Sequence, residues 1–176
     1  LTEVSGLDHL EGCKVAILAD GGVQPPQVVR SGRIALQYPA DLIQVGLPFE
    51  SRLTTVNLDA QLQDGTAQGR RKRLVRITFR LVESGGGSAG TSPRLHHAAA
   101  VEGGTATDEV LHCLDYLEFR RGHDRSDQAL PLFTGDKTMA WPGGWETDGT
   151  ITVIQADPLP LTLAAIIAEV NVDSLN

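Results

Sequence analysis

The sequence predicts an all-β, mainly antiparallel fold: a β-sandwich or a barrel-like sheet with at most one or two short helices. Three observations carry this expectation. Residues 74–82 alternate with period two, placing Val75, Ile77, Phe79 and Leu81 on one face and Arg76, Thr78 and Arg80 on the other. Short apolar segments recur along the chain, separated by turn residues such as Asp20-Gly21-Gly22, Ser31-Gly32 and Asp148-Gly149. Few segments keep a convincing helical spacing.

Taken in order, residues 14–19 form an apolar run closed by Asp20-Gly21-Gly22, which reads as a strand and a turn. Residues 28–30 and 33–37 flank Ser31-Gly32 as a tight hairpin. Residues 42–46 and 53–58 read as strands on either side of Leu47-Pro48-Phe49, where Pro48 breaks a ladder. Residues 83–93 are rich in Gly and Ser and read as a flexible loop inside a single domain spanning residues 1–176. Residues 108–121 carry Val110, Leu111, Leu114 and Leu117 at helical spacing, but also Tyr116 and Phe119, which favour strands. A strand is expected there, with a helix as the alternative. Residues 150–155 are β-branched and follow a turn. In residues 161–172, the alternation at Glu169-Val170-Asn171-Val172 favours strand over helix.

Composition narrows the function. The chain has 176 residues, 41% hydrophobic and 21% charged, enough for a packed core. It has no apolar run of about 18 residues, so no transmembrane helix is expected. Its start shows no signal-peptide pattern, and because Leu1 stands where a Met would, the chain reads as a piece of a longer polypeptide, with a processed chain the alternative. A net charge of −7 argues against a protein whose task is to grip nucleic acid. Cys13 and Cys113 match no zinc spacing and read as buried free thiols, with a disulfide the alternative.

No motif points to catalysis, a metal or a cofactor. The segment from Gly65 to Arg73 has the wrong glycine spacing for a phosphate loop and leads into a strand. His96 and His97 are adjacent, so on a strand they point to opposite faces; His112 and Cys113 have the same problem. No GxSxG nucleophile motif occurs. The protein is therefore read as a non-enzyme. Two features stand out. Arg70, Arg71, Lys72 and Arg73 continue into Arg76 and Arg80 as a basic strip on the polar side of one strand. It is a candidate subunit interface; the alternatives are a solvated edge-protecting face or a contact with nucleic acid. Trp141 and Trp145 share one short loop as a candidate aromatic contact, for a sugar or an interface, or else cover the end of the core.

Several blocks also share a familiar order. Gly6-Leu7-Asp8-His9-Leu10-Glu11-Gly12 is followed by residues 15–21, then Val45-Gly46-Leu47-Pro48-Phe49 with Leu53 and Val56. Gly65-Thr66-Ala67-Gln68-Gly69-Arg70 leads into residues 74–81. Leu132-Phe133-Thr134-Gly135-Asp136, Gly144-Trp145, Asp148-Gly149 and Pro158-Leu159-Pro160-Leu161-Thr162 close the series. In this order they resemble the C-terminal region of bacteriophage tail nozzle, or tail tubular, proteins. That region also recurs in phage proteins described as stabilisation or head-tail proteins. The resemblance implies a virion component assembled in the host cytoplasm. Its partners would be other copies in a sixfold ring and neighbouring tail proteins, with DNA passing only transiently. The alternative is a carbohydrate- or receptor-binding module of a tail or baseplate.

Overall fold

A computed structural model describes residues 1–62, 65–91, 114–120, 122, 124–125, 128–141 and 143–173. Among the described residues the fold is antiparallel β, as the sequence predicts, with one short 3-10 turn at Asp8–Leu10. Two hydrophobic clusters organise it.

The N-terminal cluster holds Leu7, Val15, Ile17, Val29 and Ile34. Around it lie β1 (Glu3–Ser5), β2 (Lys14–Ala19), β3 (Gly22–Val28), β4 (Arg33–Ala35) and β5 (Ile43–Gly46). β2 is central between β3 and β5, and β1 pairs with β4. The β2–β3 turn falls at Asp20-Gly21, both at positive φ. The Asp20 carboxylate accepts from the backbone N–H groups of Asp41 and Leu42, which holds its pKa below the usual aspartate range and ties the β4–β5 connection to this turn. Sequence reading misses β3 because of Pro25 and Pro26. The strand accommodates them by lying at a sheet edge with a bulge, since Gln24 to Gln27 oppose Ile17 to Val15. The expected hairpin is also redistributed. A tight turn joins Arg30 to Arg33, but β4 then takes β1 as its partner.

The second cluster lies between two sheets. One has the order β12 (Phe133–Ala140), β9 (Lys72–Ser84), β14 (Thr162–Val172). The other has the order β11 (Leu114–Tyr116), β10 (Ser88–Gly90), β13 (Thr152–Gln155), β6 (Ser51–Thr54). Leu74, Ile77, Phe79 and Leu81 from β9 meet Ala89, Leu117, Ile151 and Val153. This is sandwich-like packing of two inner faces. A small hairpin, β7 (Gln61–Leu62) and β8 (Gly65–Thr66), precedes β9. The strand expected at 53–58 is displaced upstream to β6. Of the segment 108–121, residues 114–116 form β11, while 108–113 lie outside the described residues.

Two further expectations are corrected. Leu74, not Val75, faces the core, because Glu169 pairs with Arg76 and Val170 with Leu74. Val75 is therefore the extra residue of a bulge, and one extra residue reverses which face follows. The Gly/Ser stretch 83–93 is not a flexible loop over its described part. Gly86 and Gly87 are buried, and Ser88–Gly90 forms an inner strand of the four-stranded sheet. The space there is tight: a Cβ on Gly86 would lie 3.1 Å from Asp157 Oδ2, and one on Gly87 3.2 Å from Leu161 Cδ2, so these side chains would have to give way. Both glycines also have positive φ.

Candidate functional site

The basic strip divides once it is folded. Lys72 opens β9 but points inward with 1% exposure, and its Nζ donates to the Thr147 carbonyl at 2.7 Å. It does not belong to the wet face. The bulge at Val75 separates the alternation of Lys72 and Leu74 from that of Ile77 onward, so a single period cannot be run through the strand. Arg70 is half-buried, whereas Arg71, Arg73, Arg76 and Arg80 are exposed.

On the outer face of β12-β9-β14, two of these exposed cations, Arg76 and Arg80, meet carboxylates from the flanking strands. Arg80 faces Asp136 across the β9–β12 ladder and makes a two-pronged ion pair, Nε–Oδ1 and Nη2–Oδ2 both 2.9 Å. These bonds hold the Asp136 pKa below the usual aspartate range and raise that of Arg80. Arg76 faces Glu169 across the β9–β14 ladder, Nε–Oε2 3.6 Å. Between them Thr78 and Thr138 share a hydroxyl hydrogen bond of 2.8 Å. The middle of the face, from Arg76 to Arg80, is thus a set of cross-strand pairs with its charge compensated, while Arg71 and Arg73 lie exposed at the start of β9. Only the register shows that Asp136 and Glu169 lie opposite the arginines.

The tryptophan pair also separates. Trp141 is 6% exposed and belongs to the sandwich core, with an indole N–H that has no partner among the described residues. Trp145 is 43% exposed. Only the second is available as an aromatic contact.

An apolar groove is the feature that sequence reading did not assemble. It encloses about 630 Å³ between the two clusters. Ala16, Leu18 and Val45 line it from the side of the first cluster, and Val153, Pro158 to Leu161 and Leu163 from that of the second. Leu47, Phe49 and Leu53 stand open to solvent at its mouth, Phe49 with 78% exposure. Gln155 shapes the far wall. Its Nε2 donates to the carbonyls of Gly85 (2.8 Å) and Leu159 (2.9 Å), and its Oε1 accepts from Asp157 N–H (3.2 Å). Tyr116 braces the same turn by donating to Asp157 Oδ2 at 2.6 Å, and burial together with that bond pushes its pKa up to about 12.

Among the described residues, no three His, Cys, Asp or Glu side chains lie close enough to hold a metal ion. His9 sits in the 3-10 turn, and His96, His97, His112, His123 and Cys113 lie outside the described residues. Cys13, expected to be buried, is exposed. No described helix is long and apolar enough to cross a membrane. Neither family models nor curated proteins provide a match to this chain.

Proposed function

We propose that this chain is a structural subunit of a bacteriophage tail, at the nozzle or tube end or as an adaptor, forming part of the DNA conduit through subunit contacts. It would act in the virion, after assembly in the host cytoplasm, without catalysis and without a cofactor. The observation that carries this reading is the apolar groove. Two blocks of the nozzle resemblance, Val45 to Phe49 with Leu53 and Pro158 to Leu161, are far apart in sequence and meet along its walls. A cluster of large apolar side chains open to water is costly in a lone monomer and favours a protein partner. The compensated charges of the β12-β9-β14 face suit a surface beside DNA that does not retain it.

The test is native mass by light scattering, with negative-stain images of the same fractions. Closed rings that dissociate in Phe49→Asp, with the β signal in circular dichroism unchanged, are the expected result. A protein that stays monomeric alone and with neighbouring tail proteins would overturn the reading.

A second reading, a carbohydrate- or receptor-binding module of a tail or baseplate, rests on the exposed Trp145, since Trp141 is taken up by the core. Glycan-array signal abolished by Trp145→Ala would favour it.

A further inference from the structure

Each strand edge in this molecule is handled differently. β3 is an edge strand carrying Pro25, Pro26 and a bulge, devices that discourage another chain from pairing there. β5, β6 and β11 are edges of only three or four residues. β14 is an edge strand of 11 residues, and from Thr162 to Val172 it contains no proline and no lysine. Its register against β9 is unbroken from Ala165 to Glu169, and Ile167 is 49% exposed on its outer face. At the opposite edge, β12 is regular from Gly135 to Ala140. Among the described residues, β9 is the only strand that pairs with either.

The inner faces of these edges are also unfinished. On β9, Ile77, Phe79 and Leu81 are fully buried. Phe133 and Met139 on β12, and Leu163, Ile166, Ala168 and Val170 on β14, pack against the same core but remain half-covered. The core is fully buried beneath its central strand and only partly buried along both flanks.

We infer that β14 of one copy pairs with β12 of the next, continuing the sheet from subunit to subunit. This rests on the ring-forming reading above and adds a strand-edge contact to that of the groove. The strand directions allow it. β12 and β14 are both antiparallel to β9, so they run the same way. A rotation about an axis along the strands keeps that direction, making the junction a parallel pair and the contact head-to-tail. When the rotation closes, the product is a barrel with three strands from each copy, and closure removes both open edges. The Arg80–Asp136 and Arg76–Glu169 pairs then line one surface of its wall.

Cysteine cross-linking tests this directly. Thr78 pairs with Thr138 on one side and with Ile167 on the other, so within one copy those two residues are two strand spacings apart. That is roughly 9.5 Å, beyond the reach of about 7 Å for a disulfide. Ile167→Cys would be combined in turn with Thr134→Cys, Asp136→Cys and Thr138→Cys, in a Cys13→Ser/Cys113→Ser background. Mild oxidation of at least one pair should give a ladder beyond the dimer on a non-reducing gel, absent from the single-cysteine proteins. Rings by light scattering with no ladder from any pair would overturn the edge contact and leave the ring reading standing. Dimers from Ile167→Cys alone would replace it with a twofold β14–β14 contact. A monomer that never cross-links would overturn both.

Discussion

Lys72 and Thr147 are joined by a buried hydrogen bond that fixes where β9 begins. The Lys72 ammonium donates to the Thr147 carbonyl, while the backbones of Lys72 and Glu146 exchange two further bonds. Gly149 packs on the same side chain, where an added Cβ would lie 3.1 Å from Lys72 Cδ. The most central cation of the basic strip is thus a clamp on the 146–149 loop. Lys72→Met keeps the stem and leaves the carbonyl without this donor, so a loss of about 1–3 kcal/mol is expected in urea unfolding. Oligomeric state should not change, whereas an interface lysine would show the reverse pattern.

Glu11 plays a comparable part in the N-terminal unit. Its two carboxylate oxygens accept from the N–H groups of Ser31 (2.9 Å) and Gly32 (2.7 Å), spanning the turn between β3 and β4. Those bonds lower the Glu11 pKa from its ordinary 4.5. A lowered carboxylate pKa adds stability above the unfolded value, and that stability is lost as pH falls through the folded one. The wild-type protein should therefore weaken below about pH 4.5, and Glu11→Gln should be weaker at neutral pH with a shallower acid decline. Chemical denaturation at a series of pH values reads both. Parallel curves for the two proteins would mean the contact carries no pH-dependent stability.

The glycine run 85–87 offers a test of packing against flexibility. Gly87→Ala places a methyl against Leu161 at a positive φ of 96°. A cost of about 1–3 kcal/mol is expected from backbone strain, read as a lower melting temperature. Gln155→Ala should do similar damage by removing all three of its hydrogen bonds to the 85–87 and 157–159 turns. A true linker would tolerate Gly87→Ala.

Alternation made β14 and the middle of β9 legible in the sequence, because each has one face toward a core, while β2 and β13 were legible as apolar or β-branched runs beside turns and β5 as a short segment ahead of Pro48. β12 was hidden because Lys137 occupies its inner row. The ammonium is accommodated there over the Phe133 and Phe119 rings, 4.7 and 5.4 Å from their centroids, an arrangement no periodicity reveals. β10 was hidden because Ser88-Ala89-Gly90 has the composition of a linker, and only its neighbours make it a strand. At the site, residue type singled out the arginines and tryptophans. Their separation into buried and exposed members depends on the Val75 bulge and on core packing, which are tertiary properties. The apolar groove needed contacts between residues about a hundred positions apart.

Tyr116 supplies an alkaline signature. Its pKa of about 12 follows from partial burial and from donation to Asp157. A raised pKa adds stability below the ordinary value near 10, and that contribution disappears as pH climbs toward 12. Ultraviolet titration of tyrosinate should show a component that ionises late, and Tyr116→Phe should remove it. If Tyr116→Phe leaves the late component intact, the Asp157 bond does not persist in solution.

The outer face of β12-β9-β14 makes the sharpest statement about nucleic acid. Arg80 and Arg76 are each opposed by a carboxylate on the neighbouring strand, so this part of the wild-type face presents paired charges rather than a basic stripe. Asp136→Asn with Glu169→Gln removes the acids while keeping size and hydrogen-bonding groups. The double variant should retain duplex DNA in a mobility-shift assay at low salt and release it as salt rises, the signature of cation–phosphate contacts. Wild-type protein should retain little under the same conditions. Exposed pairs of this kind add little to folding stability, so the two proteins should unfold at nearly the same denaturant concentration. Equal, strong DNA retention by both would mean that other cations govern binding, and the compensated face would lose its proposed place beside a DNA conduit.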